Sequence, residues 1–191
     1  RVGGYLERQV RRWNGQWEHN KTREVPGIDA MGGWLVENIP TGYETTLVHG
    51  DYKLDNAIFA VEPPARLAVI VDWEMSTLGA PLADLGLLCA TYLERGEEPD
   101  EVLGFSPATV LDGALTREEM VERYAASSGR AVDDLSWYEG LAVWKIAILL
   151  EGSYKRYLAG STTDPFFALL SDGVPRLAAR ALQYTQLRSK P

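Results

Sequence analysis

Apolar side chains return at helical spacing at the start of the chain, where Leu6, Val10, Trp13 and Trp17 share one face and Arg8, Arg11 and Arg12 fall mainly on the other. This predicts an amphipathic helix from about Gly4 to Glu18, its arginines forming a charged face. A polar connector, NKTREVPG, leads to a second, weaker helix over IDAMGGWLVENIP, which Pro40 would end. The pattern then changes period. TTLVH, AIFAV and LAVIV are short β-branched or aromatic runs that read as small, buried strands, with EPPAR as the turn between paired strands. From Pro81 onward the helical period returns, with Leu82, Leu85, Cys89 and Tyr92 on one face and Pro81 suited to a first turn. TREE, Thr116 to Glu119, matches a capping box. Trp137, Leu141, Trp144 and Ile148 predict a long helix from about Asp134 to Leu158, interrupted by the charge of Lys145. Asp164-Pro165 opens a last helical segment, which DGVPR is expected to break or kink before LAARALQYTQLR.

A chain of 191 residues suffices for one well-buried core, and an apolar share of 46% with 24% charged residues is that of an ordinary globular domain. With 27 acidic against 19 basic residues the net charge is -8, which disfavours nucleic acid and anionic membrane as principal partners and suits cationic or metal-bound ones. No run of apolar residues is long enough for a membrane span. The single cysteine, Cys89, excludes a disulfide framework and a thiolate metal cluster and reads as a buried structural thiol. His19 reads as a surface residue. The chain starts at Arg1 and carries no readable leader, and it is expected to be a piece of a longer protein.

Two acidic clusters carry the candidate chemistry. HGDYKLDN ends the first strand with a carboxylate at Asp51, an ammonium at Lys53 and a carboxamide at Asn56, and LAVIV delivers Asp72 in DWE. Carboxylate and carboxamide oxygens, completed by water and phosphate oxygens, are a usual environment for Mg²⁺. Phosphoryl transfer needs a positioned hydroxyl, neutralised phosphate charge and one proton acceptor. Such a loop can supply all three, and Asp51 and Asp72 are expected to converge on one cleft.

The order His-x-Asp-x-Lys-x-x-Asn followed by a strand-borne Asp resembles the catalytic loop and metal-binding Asp of the protein-kinase-like fold. Gly50 and the DWE of Asp72 to Glu74 narrow the resemblance to the aminoglycoside phosphotransferase family. The run HGDYKLDNAIF…IVDWEMSTLGAPLADLG is similar to the phosphotransferase-like domains fused to acyl-CoA dehydrogenases. The resemblance implies an α+β, mainly helical fold, the C-terminal lobe of the kinase-like fold, with a small β element carrying the catalytic loop. It implies a cytoplasmic enzyme that uses Mg²⁺ and ATP, GTP being the lesser alternative, to phosphorylate a hydroxylated small molecule. Asp51 would orient or deprotonate the acceptor hydroxyl, and Lys53 would contact the transferring phosphate. Asn56 and Asp72 would hold Mg²⁺ against the nucleotide. His49 would orient the loop from behind, and Asp84 would brace it through backbone N–H groups. Glu74 reads equally as a solvated acid or as a metal or supporting ligand. Trp73 is the one tryptophan expected to shape the site.

The smaller, nucleotide-binding lobe of such a kinase has no counterpart here. The only lysine upstream of His49 is Lys21, in the polar connector, and the Gly3-Gly4 and Gly32-Gly33 pairs do not follow strands. The whole of 1–191 is therefore expected to be the catalytic-loop and substrate lobe, with the missing N-terminal lobe of the same protein as its partner and little activity alone. Two other readings stand beside this one. The chain could be a non-catalytic scaffold derived from a kinase lobe, or a metal hydrolase with His49, Asp51, Asp72 and Glu74 as ligands. The acceptor pocket is expected on the later helices, among Asp133, Asp134, Glu139, Glu151, Trp137, Trp144 and Tyr154. The DYKLDN and DWEMSTLG variants favour a hydroxyacyl metabolite over an antibiotic.

Overall fold

The computed structural model describes residues 4–64, 66–103 and 106–187. Gly3, Ala65 of the EPPAR turn and Arg188 of the last segment lie outside these. The element order is α1 (Tyr5–Asn20), α2 (Pro26–Glu37), β1 (Thr46–Val48), β2 (Ala57–Phe59), β3 (Leu67–Ile70), β4 (Thr77–Gly79), α3 (Leu82–Ala90), α4 (Arg117–Ser128), α5 (Leu135–Leu158) and α6 (Leu170–Leu187). It is a mainly helical lobe with a small β element.

α5 is the spine. Trp137, Leu141, Trp144 and Ile148 are all buried along it, packed against α1, α2, α3 and α6. The two indoles fix the angle of α2 as well as filling space, because Trp137 Nε1 donates to the Leu35 carbonyl (3.4 Å) and Trp144 Nε1 to the Ile28 carbonyl (2.9 Å). α3 packs close to α5 at Gly86, where a Cβ would fall 2.7 Å from the Tyr138 backbone. Cys89 is buried there, and burial pushes its thiol up to about 12. α1 presents Leu6, Val10, Trp13 and Trp17 to the core and leaves Arg8, Arg11 and Arg12 exposed. Thr116 and Glu119 close a complete capping box on α4. No helix among the described residues is long and apolar enough to cross a membrane.

Two expectations fail here and one strand was not foreseen, each for a physical reason. The strand β4 is not apparent in the apolar pattern, because it is three residues long and exists only as the antiparallel partner of β1, with Val48 opposite Thr77. The apolar run of β3 is not buried: β2 and β3 pair with each other, Ala57 opposite Ile70, and leave Ile58, Phe59, Leu67 and Val69 half exposed. α6 does not break at DGVPR but runs through Pro175, and the irregular turn falls earlier, at the 3₁₀ segment Pro165–Leu169. Proline lacks the N–H that would reach the carbonyl four residues back, which is Ser171. Arg23 fills that role, donating from Nη1 to the Ser171 carbonyl (2.6 Å) and from Nη2 to the Leu170 carbonyl (3.0 Å).

Candidate active site

The β2–β3 hairpin is nested inside the β1–β4 pair. The two connections between outer and inner pairs, residues 49–56 and 71–76, therefore lie side by side although far apart in sequence. The Val71 N–H donates to the Asn56 carbonyl (2.9 Å), which ties them together. His49 ties them again. Its Nε2 donates to the Val71 carbonyl (2.8 Å) and its Nδ1 accepts the Asp51 backbone N–H (3.3 Å), the arrangement of the Nε2–H tautomer. The ring is buried against Trp73, centroids 4.7 Å apart, and Trp73 Nε1 caps the Ile70 carbonyl at 2.7 Å. With both nitrogens engaged, this imidazole positions the loop and is not disposed to act as a base or a metal ligand.

Three residues of the 49–56 connection meet at one carboxylate oxygen. Asp51 Oδ2 pairs with Lys53 Nζ at 3.1 Å and accepts from Asn56 Nδ2 at 3.1 Å. Asn56 Nδ2 also donates to the Asp51 carbonyl (2.8 Å), so the carboxamide is held in one orientation. The second oxygen, Asp51 Oδ1, accepts no hydrogen bond from the described residues, and Asp51 lines a cavity. Behind the loop, the Asp84 carboxylate on α3 accepts the His49 N–H at 2.6 Å and the Gly50 N–H at 2.9 Å. Burial raises the Asp84 pKa, and these two backbone bonds oppose the rise. Gly50 is required on geometric grounds, since its φ is 86° and a Cβ would lie 2.6 Å from the Met75 carbonyl oxygen.

Asp72 has φ 65°, the only left-handed backbone at a non-glycine among the described residues. Such a conformation costs of order 1 kcal/mol and concentrates at functional positions. Its carboxylate is exposed, beside the Asn56 bridge and outside the cavity lining, whereas Glu74 lines the cavity with Asp51, Lys53 and Asp84. Neither Asn56 nor Asp72 lines the cavity at Asp51. The donor set fits Mg²⁺: with Nδ2 spent on Asp51, Asn56 offers its carboxamide oxygen, and Asp72 offers carboxylate oxygens. No group of three His, Cys, Asp or Glu side chains among the described residues could hold a metal ion, so the hydrolase reading lacks its ligand set.

The cavity at Asp51 has a volume of about 280 Å³. Its walls are largely apolar, from Tyr5 and Trp13 of α1 and Tyr138, Leu141 and Leu149 of α5, and Lys145 joins them. Of the residues expected to line an acceptor pocket, Trp137 and Trp144 belong to the core instead. Glu151 is fully buried, bound by Arg23 (3.2 Å) and by the Thr22 hydroxyl (2.6 Å). Tyr154 stacks under the Arg23 guanidinium at 4.7 Å. Glu139 lines a separate cavity with Arg117 and Arg180, and Asp133 and Asp134 line a third with Arg130. Sequence reasoning missed Tyr5, Trp13 and Lys145 as pocket residues. The one available signal was a lysine on the apolar stripe of α5.

This arrangement defines the helical lobe of a protein-kinase-like phosphotransferase. Residues 1–125 match the family model described as the phosphotransferase enzyme family, and the chain belongs to that family. Mouse acyl-CoA dehydrogenase family member 10 is 37% identical over 164 residues, which are 85% of this chain. Mouse acyl-CoA dehydrogenase family member 11 is 32% identical over 201 residues, covering 98% of the chain. The chain spans only 15% and 24% of the lengths of these two relatives. Among solved structures, a putative aminoglycoside phosphotransferase from Ralstonia eutropha superimposes with a TM-score of 0.81 at 29% identity, over 100% of this chain and 58% of that one.

Proposed function

We propose that the full-length protein transfers the γ-phosphate of ATP to a hydroxyl group of a small molecule, with Asp51 as the proton acceptor. The observation that carries this reading is the state of one carboxylate: Oδ2 is held by Lys53 and Asn56, Oδ1 accepts no hydrogen bond from the described residues, and Asp51 lines the cavity. An acceptor hydroxyl there donates its proton to Oδ1 as its oxygen bonds to the γ-phosphorus, and the bond from that phosphorus to the bridging oxygen of ADP breaks. Lys53, paired with the same carboxylate, would balance charge on the moving phosphoryl group. Asn56 and Asp72 would hold Mg²⁺, which when bound neutralises phosphate charge. The exposed apolar side chains of the hairpin, with Trp73 and Met75, offer a face for a nucleotide-binding lobe supplied by the rest of the protein.

The favoured acceptor is a hydroxylated metabolite of the hydroxyacyl type. The cavity's largely apolar lining and the removal of Glu139 and Glu151 to other places support it over a polycationic aminoglycoside. The test is to express the full-length protein and follow ADP formation against hydroxyacyl compounds, sugars, choline-like amines and aminoglycosides. Acceptor-dependent ADP formation is expected with hydroxyacyl compounds, and Asp72→Ala should weaken Mg²⁺-dependent nucleotide binding. Absence of acceptor-stimulated turnover across the panel would favour the scaffold reading.

A further inference from the structure

Tyr5 is the first residue of α1 and lines the cavity at Asp51. The residue is only 5% exposed, yet its hydroxyl makes no hydrogen bond with any described residue. Among the described residues the one enclosed side-chain polar atom without a partner is Arg23 Nε, so the Tyr5 oxygen keeps some accessible surface. The Asp84 carboxylate acts on the phenol electrostatically but is occupied by the His49 and Gly50 N–H groups. The ring is held in place by packing. It lies against Gly79 of β4, where a Cβ would fall 2.8 Å from two of its carbons. Because β4 pairs with β1, and β1 leads directly into the 49–56 connection, the phenol has a set position relative to Asp51.

A phenylalanine would fill the same space, pack on Gly79 equally well and leave no polar group to desolvate. The hydroxyl gains no partner within the described fold, and its presence makes sense if a ligand supplies one. Burial, reinforced by the Asp84 charge, pushes the phenol up to about 12, so it keeps its proton at neutral pH and can donate it to an oxygen. Charge narrows the choice of that oxygen. The cavity is lined by three carboxylates, Asp51, Glu74 and Asp84, against two ammonium groups, Lys53 and Lys145, and so offers no surplus positive charge to an anion. A carbonyl supplies an uncharged acceptor oxygen without adding a donor that would need its own partner among Trp13, Leu141 and Leu149.

We propose that Tyr5 is an acceptor-specificity residue of this site: its hydroxyl donates to the carbonyl oxygen of an uncharged hydroxyacyl ester, thioester or amide whose own hydroxyl is presented to Asp51. The assignment rests on the phosphotransfer reading for the role of Asp51, but the carbonyl subsite itself is measurable without turnover.

The experiment measures equilibrium binding to the full-length protein, by calorimetry at pH 7, of two probes: ethyl β-hydroxyhexanoate and its ether analogue with CH2 in place of the carbonyl. The wild type should bind the ester more tightly than the ether by roughly three- to tenfold, the scale of one net hydrogen bond. Tyr5→Phe should abolish that preference by weakening the ester alone. Its melting temperature should match the wild type, because the ring packing is kept and no internal hydrogen bond is lost. A wild type that binds both probes equally, or a Tyr5→Phe that keeps the preference, would overturn the assignment. A lower melting temperature in Tyr5→Phe would count against it too, by showing that the hydroxyl has a partner inside the fold. A Tyr5-dependent carbonyl preference without acceptor-dependent ADP formation would leave the subsite standing and defeat only the phosphotransfer reading.

Discussion

The carboxylate of Asp84 holds the backbone of Gly50 from behind the 49–56 connection, accepting its N–H at 2.9 Å while the other oxygen takes the N–H of His49 at 2.6 Å. Two parallel backbone donors require two acceptor oxygens, and only a carboxylate supplies both. Asp84→Asn would turn an amide N–H₂ toward one of them and leave that N–H unsatisfied, at about 1–3 kcal/mol. We expect turnover to fall while the melting temperature drops only modestly. Glu would not rescue, because the longer side chain displaces the loop. Unchanged turnover in Asp84→Asn would show that the loop is held by other contacts.

Arg23 is predicted to be a stability residue. It satisfies the two carbonyls at the start of α6, one of them orphaned by Pro175, and pairs with the buried Glu151. Arg23→Met should destabilise the fold by about 3–5 kcal/mol, since an unpaired buried carboxylate remains. The double variant with Glu151→Met should recover part of that loss in denaturant unfolding. Additive losses would contradict the coupling.

Glu139 should make stability depend on pH. Burial raises its carboxyl from 4.5 to about 7, against the opposing pull of Arg117 and Arg180. The folded state then binds more protons than the unfolded state between those values, so the stabilising contribution is full below 4.5 and is lost as pH rises through 7. Relative to wild type, Glu139→Gln should gain melting temperature progressively across that window and hold the gain above it. A difference that does not vary with pH would contradict this assignment.

The parts legible in the sequence are those whose signal is local. The helical stripe of Trp137, Leu141, Trp144 and Ile148 reports α5, Thr116 and Glu119 announce the start of α4, and the spacing of His49, Asp51, Lys53, Asn56 and Asp72 marks the two acidic connections. What escaped depends on tertiary partners. The unbroken apolar run LAVIV cannot tell whether a neighbour covers the strand, and β3 is open. Pro175 is tolerated because Arg23 arrives from a connector that reads as merely polar. Lys145 interrupts an apolar stripe, and only the packing of α1 against α5 shows that it lines a cavity beside Asp51.

The central claim is that Asp51 accepts the proton of a hydroxyl undergoing phosphorylation. Its most direct test is single-turnover phosphate transfer in the full-length protein, comparing wild type with Asp51→Asn at saturating Mg²⁺ and ATP and with the best acceptor from the panel. The carboxamide preserves the size of the side chain and its bond to Lys53, but it cannot take the proton. Transfer should slow by roughly two to four orders of magnitude, with nucleotide affinity and melting temperature retained. Transfer at the wild-type rate by a folded, nucleotide-bound Asp51→Asn protein would contradict the account.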